Sequence, residues 1–195
     1  MRRSEEDEGS LSDLELIRRC SEGEPRAQEL LYRRYFSFAM SVCTRYTRDQ
    51  YEAMEIVNDS YMKVLDNIAE FDSLRSFKSW YGRILVNSAI DNYRRNAKFL
   101  SHQSIGDLET IQEQEPEISA ELSANEILSL FNRLPDNYRV TFNLYEIEGY
   151  SHEEIGQMLD ISTSTSRSNL SRAKKMLRDL YKKNFNPDNR SDEAV

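Results

Sequence analysis

Residues 151–183 read SHEEIGQMLDISTSTSRSNLSRAKKMLRDLYKK, and this stretch decides the fold of the C-terminal part of the chain. Ser151 is followed three residues later by Glu154, which is a capping box and predicts the start of a short helix. Ser162 is placed to cap a second, longer helix. Small or apolar residues recur on that helix at spacings of four and three: Ser166, Leu170, Ala173, Leu177 and Leu180. A short helix, a tight turn and a longer basic helix are typical of a helix-turn-helix.

The exposed side of the second helix carries small polar and cationic residues. The candidate duplex contacts are Ser164, Thr165, Arg167, Ser168, Arg172 and Lys175. Small side chains let a helix end enter the major groove, and the cations reach bases or phosphates. The alternative is an ordinary helical hairpin with a solvated basic face.

Composition limits the class of protein. Six glycines, four prolines and the absence of β-rich runs predict an all-α fold. The chain contains no apolar run of membrane-spanning length and no apolar signal-peptide core, so we expect a cytoplasmic protein without direct membrane insertion. Cys20 and Cys43 do not form a close pair or a metal cluster, and we expect buried free thiols.

The formal net charge of −8 disfavours strong DNA binding by the chain alone, but the charge is unevenly distributed. Residues 161–183 contain seven cations and one carboxylate, and residues 74–98 contain six and one. Between them, residues 101–126 contain seven carboxylates and no Lys or Arg. Two basic surfaces joined by an acidic strap indicate two nucleic-acid contacts.

The helical periodicity predicts two small helical bundles joined by an acidic linker. The first domain spans residues 11–98, the linker 99–122 and the second domain 123–183, and residues 1–10 and 184–195 are flexible tails. Within the first domain, Leu11, Leu14, Ile17 and Cys20 predict a short helix. Pro25 is expected in the first turn of a second helix, and Asp49 with Glu52 is expected to cap a third.

The fourth helix, expected from about residue 77 to 97, combines cations, amides and aromatics. Arg83, Asn87, Asp91 and Arg94 share one face, and Phe71, Phe77, Trp80, Tyr81 and Tyr93 lie nearby in sequence. Such a surface suits single-stranded DNA, because planar groups stack on exposed bases and cations hold the backbone. The alternative is that the aromatics are core residues and the charges are solvated. A polar face of the third helix, with Asn58, Asp59 and Met62, is either solvated or docks a basic partner.

Two segments together are similar to one protein family. Residues 52–96, EAMEIVNDSYMKVLDNIAEFDSLRSFKSWYGRILVNSAIDNYRRN, resemble region 2 of an extracytoplasmic-function (group IV) RNA polymerase sigma factor. Residues 130–177, LFNRLPDNYRVTFNLYEIEGYSHEEIGQMLDISTSTSRSNLSRAKKML, resemble region 4 of the same family. The order of the segments and the short linker between them also match, so the resemblance extends over about residues 11–183.

The resemblance implies roles that composition alone does not. Region 2 docks on the β′ clamp helices of core RNA polymerase, and Asn58, Asp59 and Met62 occupy the matching positions. Region 2 also melts the −10 element and holds an unstacked base. The matching residues are Phe71, Arg75, Trp80, Arg83, Asn87, Asp91, Arg94 and Arg95. Region 4 binds the duplex −35 element through its helix-turn-helix and meets the β flap. An anti-sigma factor, membrane-bound in many relatives, is implied as a further partner.

Three residues depart from the family pattern. Asp160 stands in the turn where Gly is frequent, so the turn must form without a flexible residue. Ser166 occupies an inward position often held by Val, which weakens local packing. Asn169 replaces a frequent Arg or Lys, which puts one phosphate or base contact in doubt.

The leading functional hypothesis is a promoter-specificity subunit with no catalytic residues, metal site or cofactor. The alternative is an autonomous helix-turn-helix repressor or activator, which predicts tight duplex binding without polymerase. An enzyme is not expected, because His102 and His152 are the only histidines and lack metal-site partners at helical spacing.

Overall fold

The structure is a computed structural model that describes residues 11–102 and 129–185. Every regular element in these two ranges is helical, which confirms the all-α prediction. The chain divides between Tyr93 and Arg94 into two compact units. The residues outside the described ranges include 103–122 of the predicted linker, the predicted helix start at Ser123, the whole predicted tail 1–10 and residues 186–195 of the other tail. The predicted domain bounds therefore stay a prediction.

The N-terminal unit is built from α1 (Asp13–Ser21), α2 (Pro25–Cys43), α3 (Gln50–Asn67) and the first part of α4 (Phe77–His102). From Arg94 onward, α4 belongs to the C-terminal unit. A 3₁₀ turn (Ile68–Glu70) follows α3. The helix starts are local in origin: Ser12 caps α1, Pro25 is in the first turn of α2, and Asp49 accepts from the Tyr51 amide at 3.0 Å. Helix α4 continues past residue 97, where the sequence predicted its end.

The core of the N-terminal unit lies where α1 packs on α2 and α2 on α3. Helix α4 joins it through aromatic contacts, since the ring of Tyr81 lies 6.4 Å from Tyr35 and 6.5 Å from Tyr61. Glu52, expected in a capping box with Asp49, instead accepts from the Asn92 side-chain amide of α4 at 2.6 Å. Asp49 is therefore confirmed as the cap residue, and Glu52 forms a contact between α3 and α4.

One residue of the predicted α1 face was assigned to the wrong side. Leu14 is 54% exposed, whereas Leu16, Ile17 and Cys20 are buried. A helical stripe centred on residues 16, 17 and 20 leaves position 14 outside it. The sequence pattern missed Leu16, which is completely buried.

Both cysteines are buried and free, as predicted. Burial raises the pKa of Cys20 to about 11 and that of Cys43 to about 12. Both thiols therefore stay protonated at neutral pH and behave as small apolar side chains.

The C-terminal unit contains α5 (Asp136–Phe142), α6 (His152–Leu159) and α7 (Thr163–Phe185), and residues 129–132 are also helical. Helix α5 widens into a π-helical segment (Asn143–Ile147) before the chain turns at Gly149. Helices α5 and α6 both pack on α7. No helix in the described ranges is long and apolar enough to span a membrane.

Candidate nucleic-acid and protein interfaces

The helix-turn-helix begins at the predicted capping box. The Ser151 hydroxyl accepts from the Glu154 amide at 3.2 Å, and the Ser151 amide donates to the Glu154 carboxylate at 2.8 Å. The hydrogen bond from the Ser151 amide lowers the pKa of Glu154. Both bonds satisfy amides that the first turn of α6 would otherwise leave without a partner.

The turn between α6 and α7 depends on two residues. Asp160 adopts the left-handed conformation, with φ 55° and ψ 47°, and donates its amide to the Gly156 carbonyl. Gly156 is buried within α6, and a Cβ atom placed on it would lie 2.9 Å from the Ile161 carbonyl oxygen. The sequence analysis expected the turn to form without a flexible residue. It does so because aspartate is one of the few residue types other than glycine that tolerate the left-handed conformation. The close approach at Gly156 is made by backbone atoms.

Replacing Asp160 with glycine is expected to stabilise the C-terminal unit by roughly 0.5 kcal/mol, since relief of the left-handed strain exceeds the added chain entropy. Chemical denaturation of the full chain measures the change. Gly149→Ala is the matched control: its φ is 79° with open space around it, so a loss of about 1 kcal/mol is expected from conformation alone. A less stable Asp160→Gly variant would mean that the aspartate side chain itself holds the turn.

Ser162 caps the start of helix α7, as the sequence predicted: its hydroxyl accepts from the Thr165 amide at 3.0 Å. Behind this start, the inward stripe contains Ser166, Asn169, Leu170 and Ala173, all buried. The structure exposes all six candidate duplex contacts: Ser164, Thr165, Arg167, Ser168, Arg172 and Lys175. Arg172 also donates to the Tyr138 hydroxyl of α5 at 3.3 Å. The contact of the six residues with DNA stays a prediction.

Two departures from the family pattern have a structural account. Ser166 is fully buried, and its hydroxyl lies 2.9 Å from His152 Nδ1. The His152 ring in turn stacks on Tyr145, with centroids 4.4 Å apart. A polar pair therefore replaces the aliphatic contact expected at this position. Asn169 is only 6% exposed, so this position is turned away from any duplex bound to the exposed face.

Carboxylates lie beside two cations of α7. Arg167 is 3.6 Å from the Glu153 carboxylate, and both side chains are 64% exposed. Lys174 pairs with Glu146 at 2.5 Å and lies 6.0 Å from the Tyr145 ring centroid. A phosphate group that contacts Arg167 would therefore have to compete with Glu153.

Glu153→Gln is expected to tighten duplex binding about two- to fivefold, because an exposed ion pair contributes at most about 1 kcal/mol. The gain should shrink as salt rises, since screening weakens both the pair and the phosphate contact. Competition binding of the polymerase-bound chain to a −35 duplex, at two salt concentrations, measures it. Glu29→Gln makes the same charge change beside Arg33 of α2 and should have no effect. Equal affinities of Glu153→Gln and the unaltered chain at low salt would contradict the prediction.

The N-terminal unit contains an open cleft of about 400 Å³. It is lined by Lys63, Asn67, Glu70, Trp80, Ile84 and Asn87, so α3 with its 3₁₀ turn forms one wall and α4 the other. Trp80 is half-buried, and its ring lies 5.3 Å from Phe71. The structure thus brings together Phe71, Trp80 and Asn87, three of the residues assigned to the −10 element.

The core interpretation is confirmed for two of the aromatic residues, and the DNA-binding interpretation stays a prediction for the others. Phe77 and Tyr81 are 4% and 1% exposed and belong to the core, so they offer no face to a base. Phe71 and Trp80 are only half-buried. The other predicted −10 positions are exposed except for the half-buried Arg94: Arg75, Arg83, Asn87, Asp91 and Arg95.

Two residues near the cleft were missed by the sequence analysis. Lys63 donates to the Ser88 hydroxyl at 2.9 Å and lies 3.6 Å from Asp91. Leu74, at the tip of the loop after the 3₁₀ turn, is 94% exposed. The sequence around Lys63 does not show which residues of α4 lie next to it. Leu74 could have been found, because it is an apolar residue between Asp72 and Arg75 in a polar loop.

The polar face of α3 is solvent-exposed, and Met62 is 58% exposed. Asn58 and Asp59 lie one turn before it, and Tyr51, 82% exposed, lies two turns before Asn58 on the same face. The Asn58 side-chain oxygen accepts a hydrogen bond from the Tyr32 hydroxyl of α2 at 2.8 Å. The structure exposes all three residues predicted to dock polymerase, and it links one of them to a second helix.

Comparison with known proteins gives consistent matches over both units. The model of the sigma-70 region 2 family matches residues 31–99, and that of sigma-70 region 4 matches residues 124–177, so together they cover more than half of the chain. The chain is 28% identical to an ECF RNA polymerase sigma-E factor of Haemophilus influenzae, over 86% of this chain and 94% of the relative. It is 27% identical to the ECF RNA polymerase sigma factor SigM of Bacillus subtilis, over 80% and 96%.

The solved structures that the chain is similar to include CnrH in complex with the cytosolic domain of CnrY. That match has a TM-score of 0.45 and 20% identity, over 86% of this chain and 96% of CnrH. A second is the sigma factor RpoE in complex with the anti-sigma factor NepR from Bartonella quintana. It has a TM-score of 0.49 and 19% identity, over 77% and 94%.

Proposed function

Because the chain belongs to the extracytoplasmic-function family of RNA polymerase sigma factors, we propose that its two units divide promoter recognition between duplex and unpaired DNA. The chain binds core RNA polymerase and directs promoter-specific initiation of transcription. The observation that carries the residue assignments is the exposed face of α7. All six candidate contacts are exposed there, and the opposite stripe is buried.

The −35 element is read by α7 in the major groove. Arg167, Arg172 and Lys175 supply cations, while Ser164 and Ser168 are small enough to let the helix approach the base edges. The cap at Ser162 and the close backbone approach at Gly156 support this function, because they set the angle between α6 and α7. Phosphate contacts position the helix, and base contacts supply the sequence preference.

The −10 element is captured as unpaired DNA at the cleft of the N-terminal unit. Its volume of about 400 Å³ and its planar wall at Trp80 suit a base removed from its stack. Asn87 and Glu70 offer hydrogen-bonding groups to base edges, and Arg75 and Arg83 lie exposed for the backbone. Capturing the base supplies the few kcal/mol that unstacking costs, so the cleft favours the melted promoter.

The face of α3 with Asn58, Asp59 and Met62 docks the β′ clamp helices. It combines an exposed apolar side chain, an amide and a carboxylate, which fits a partner surface with cations and some apolar area. The C-terminal unit meets the β flap. The chain has no catalytic role of its own, acts in the cytoplasm, and is held inactive by an anti-sigma factor that competes with polymerase.

The test is run-off transcription from a supercoiled genomic promoter library, with core RNA polymerase in the presence and absence of the chain. Starts that require the chain and share two spaced sequence elements support the proposal. An Arg167→Ala, Arg172→Ala variant should lose these starts while still binding core polymerase, since the cations act on DNA. No new starts, together with tight duplex binding by the chain alone, would overturn it in favour of an autonomous regulator.

A further inference from the structure

The Asn58 side-chain amide accepts a hydrogen bond from a residue of another helix. Tyr32 of α2 donates its hydroxyl to Asn58 Oδ1 at 2.8 Å, across 26 positions of sequence. Asn58 is otherwise exposed on the face of α3 assigned to polymerase docking. An exposed asparagine without such a bond samples several rotamers, and ordering it costs free energy on binding.

Tyr32 is itself firmly placed. Its ring packs edge-on against Tyr61, with centroids 5.0 Å apart, and lies 5.5 Å from Phe36. Tyr61 in turn donates its hydroxyl to the Gln28 carbonyl of α2. Burial raises the pKa of Tyr32, so the hydroxyl keeps its proton at neutral pH and remains a donor. The Tyr32 hydroxyl that donates to Asn58 is therefore held in a fixed position.

From this geometry we infer that Tyr32 is a positioning residue for polymerase docking, which orients the Asn58 amide so that its NH₂ group faces the partner as a donor. The reason is that Oδ1 is occupied by the tyrosine hydroxyl, which leaves Nδ2 directed away from it. The partner group is then an acceptor, a carboxylate or a backbone carbonyl. The inference rests on the proposed docking role of Asn58.

The test measures the affinity of the full chain for core RNA polymerase by fluorescence titration, for Tyr32→Phe, Asn58→Ala and the double variant. Tyr32→Phe keeps the ring and should bind about fivefold more weakly, since ordering one side chain on binding costs about 1 kcal/mol. The double variant should bind no more weakly than Asn58→Ala, because the hydroxyl acts only through Asn58. Asn58→Asp still accepts from Tyr32 but offers no outward donor, and should be as weak as Asn58→Ala.

Tyr35→Phe is the matched control on the same helix. Its hydroxyl donates to Asp13 of α1, so the substitution removes a hydrogen bond of the fold and none at the docking face. Tyr35→Phe should lower the thermal midpoint and leave polymerase affinity unchanged. Tyr32→Phe should leave the thermal midpoint unchanged and lower the polymerase affinity.

The outcomes separate the two proposals. Unchanged affinity of Tyr32→Phe, with a loss in Asn58→Ala, would overturn the positioning role and leave the docking role intact. Additive losses in the double variant would also overturn it, because Tyr32 would then contact polymerase directly. Unchanged affinity of Asn58→Ala would overturn the docking role of Asn58, and with it the inference.

Discussion

Gly156→Val is expected to destabilise the C-terminal unit by about 3 kcal/mol and to abolish −35 recognition. A Cβ at residue 156 would lie 2.9 Å from the Ile161 carbonyl oxygen, and that oxygen is part of the backbone of the turn. Relief requires α6 and the turn to separate, because no flexible side chain is available to move. The branched side chain enlarges the clash, and the separation changes the angle at which α7 meets DNA. Chemical denaturation measures the first effect, and protection of a −35 duplex by the polymerase-bound chain measures the second.

Gly82→Ala is the control for this substitution. Gly82 also lies within a helix, but a Cβ there would be 3.6 Å from Phe38 Cζ, which is ordinary contact. The substitution should stabilise the chain by about 0.5–1 kcal/mol through helix propensity and leave −35 binding unchanged. A Gly156→Val variant as stable as the unaltered chain would show that the turn has room to move, against the geometry described above.

Trp80→Ala is expected to weaken binding of an unpaired −10 oligonucleotide by the polymerase-bound chain about tenfold or more. Alanine in place of an aromatic that stacks on a base costs about 1–3 kcal/mol per base. Trp80 lines the cleft and is only half-buried, whereas Phe77 beside it is buried. Binding of a −35 duplex should stay unchanged, because the C-terminal unit is not altered.

Trp80 also contacts Phe71 and Phe77, so the variant needs a control that preserves packing. Trp80→Phe keeps a planar ring and should lose less than about threefold in binding the same oligonucleotide, since stacking tolerates different aromatic faces. The thermal midpoints of both variants show how much of the effect comes from the fold. If Trp80→Ala retains the unpaired oligonucleotide as well as the unaltered chain, the cleft does not hold the base.

The local features of the fold follow from residues close together in sequence. The capping box at Ser151 and Glu154, the cap at Ser162 and the proline at the start of α2 all involve neighbours within four positions. The helical stripe of α7 was likewise readable, because a period of 3.6 residues fixes which side chains share a face. These signals predicted the all-α fold, the helix-turn-helix and an exposed basic face on α7.

The tertiary structure decided which of two plausible faces each ambiguous helix buries. Leu14 and Trp80 had the same apolar character as their buried neighbours, and only the placement of the other helices leaves Leu14 exposed and Trp80 half-buried. The carboxylate beside Arg167, the hydroxyl behind Asn58 and the lysine at the cleft all come from other helices. Sequence determined where helices begin and what they can bury, because caps and periodicity are local. Packing alone determined which groups meet, because those distances depend on residues far apart in the chain.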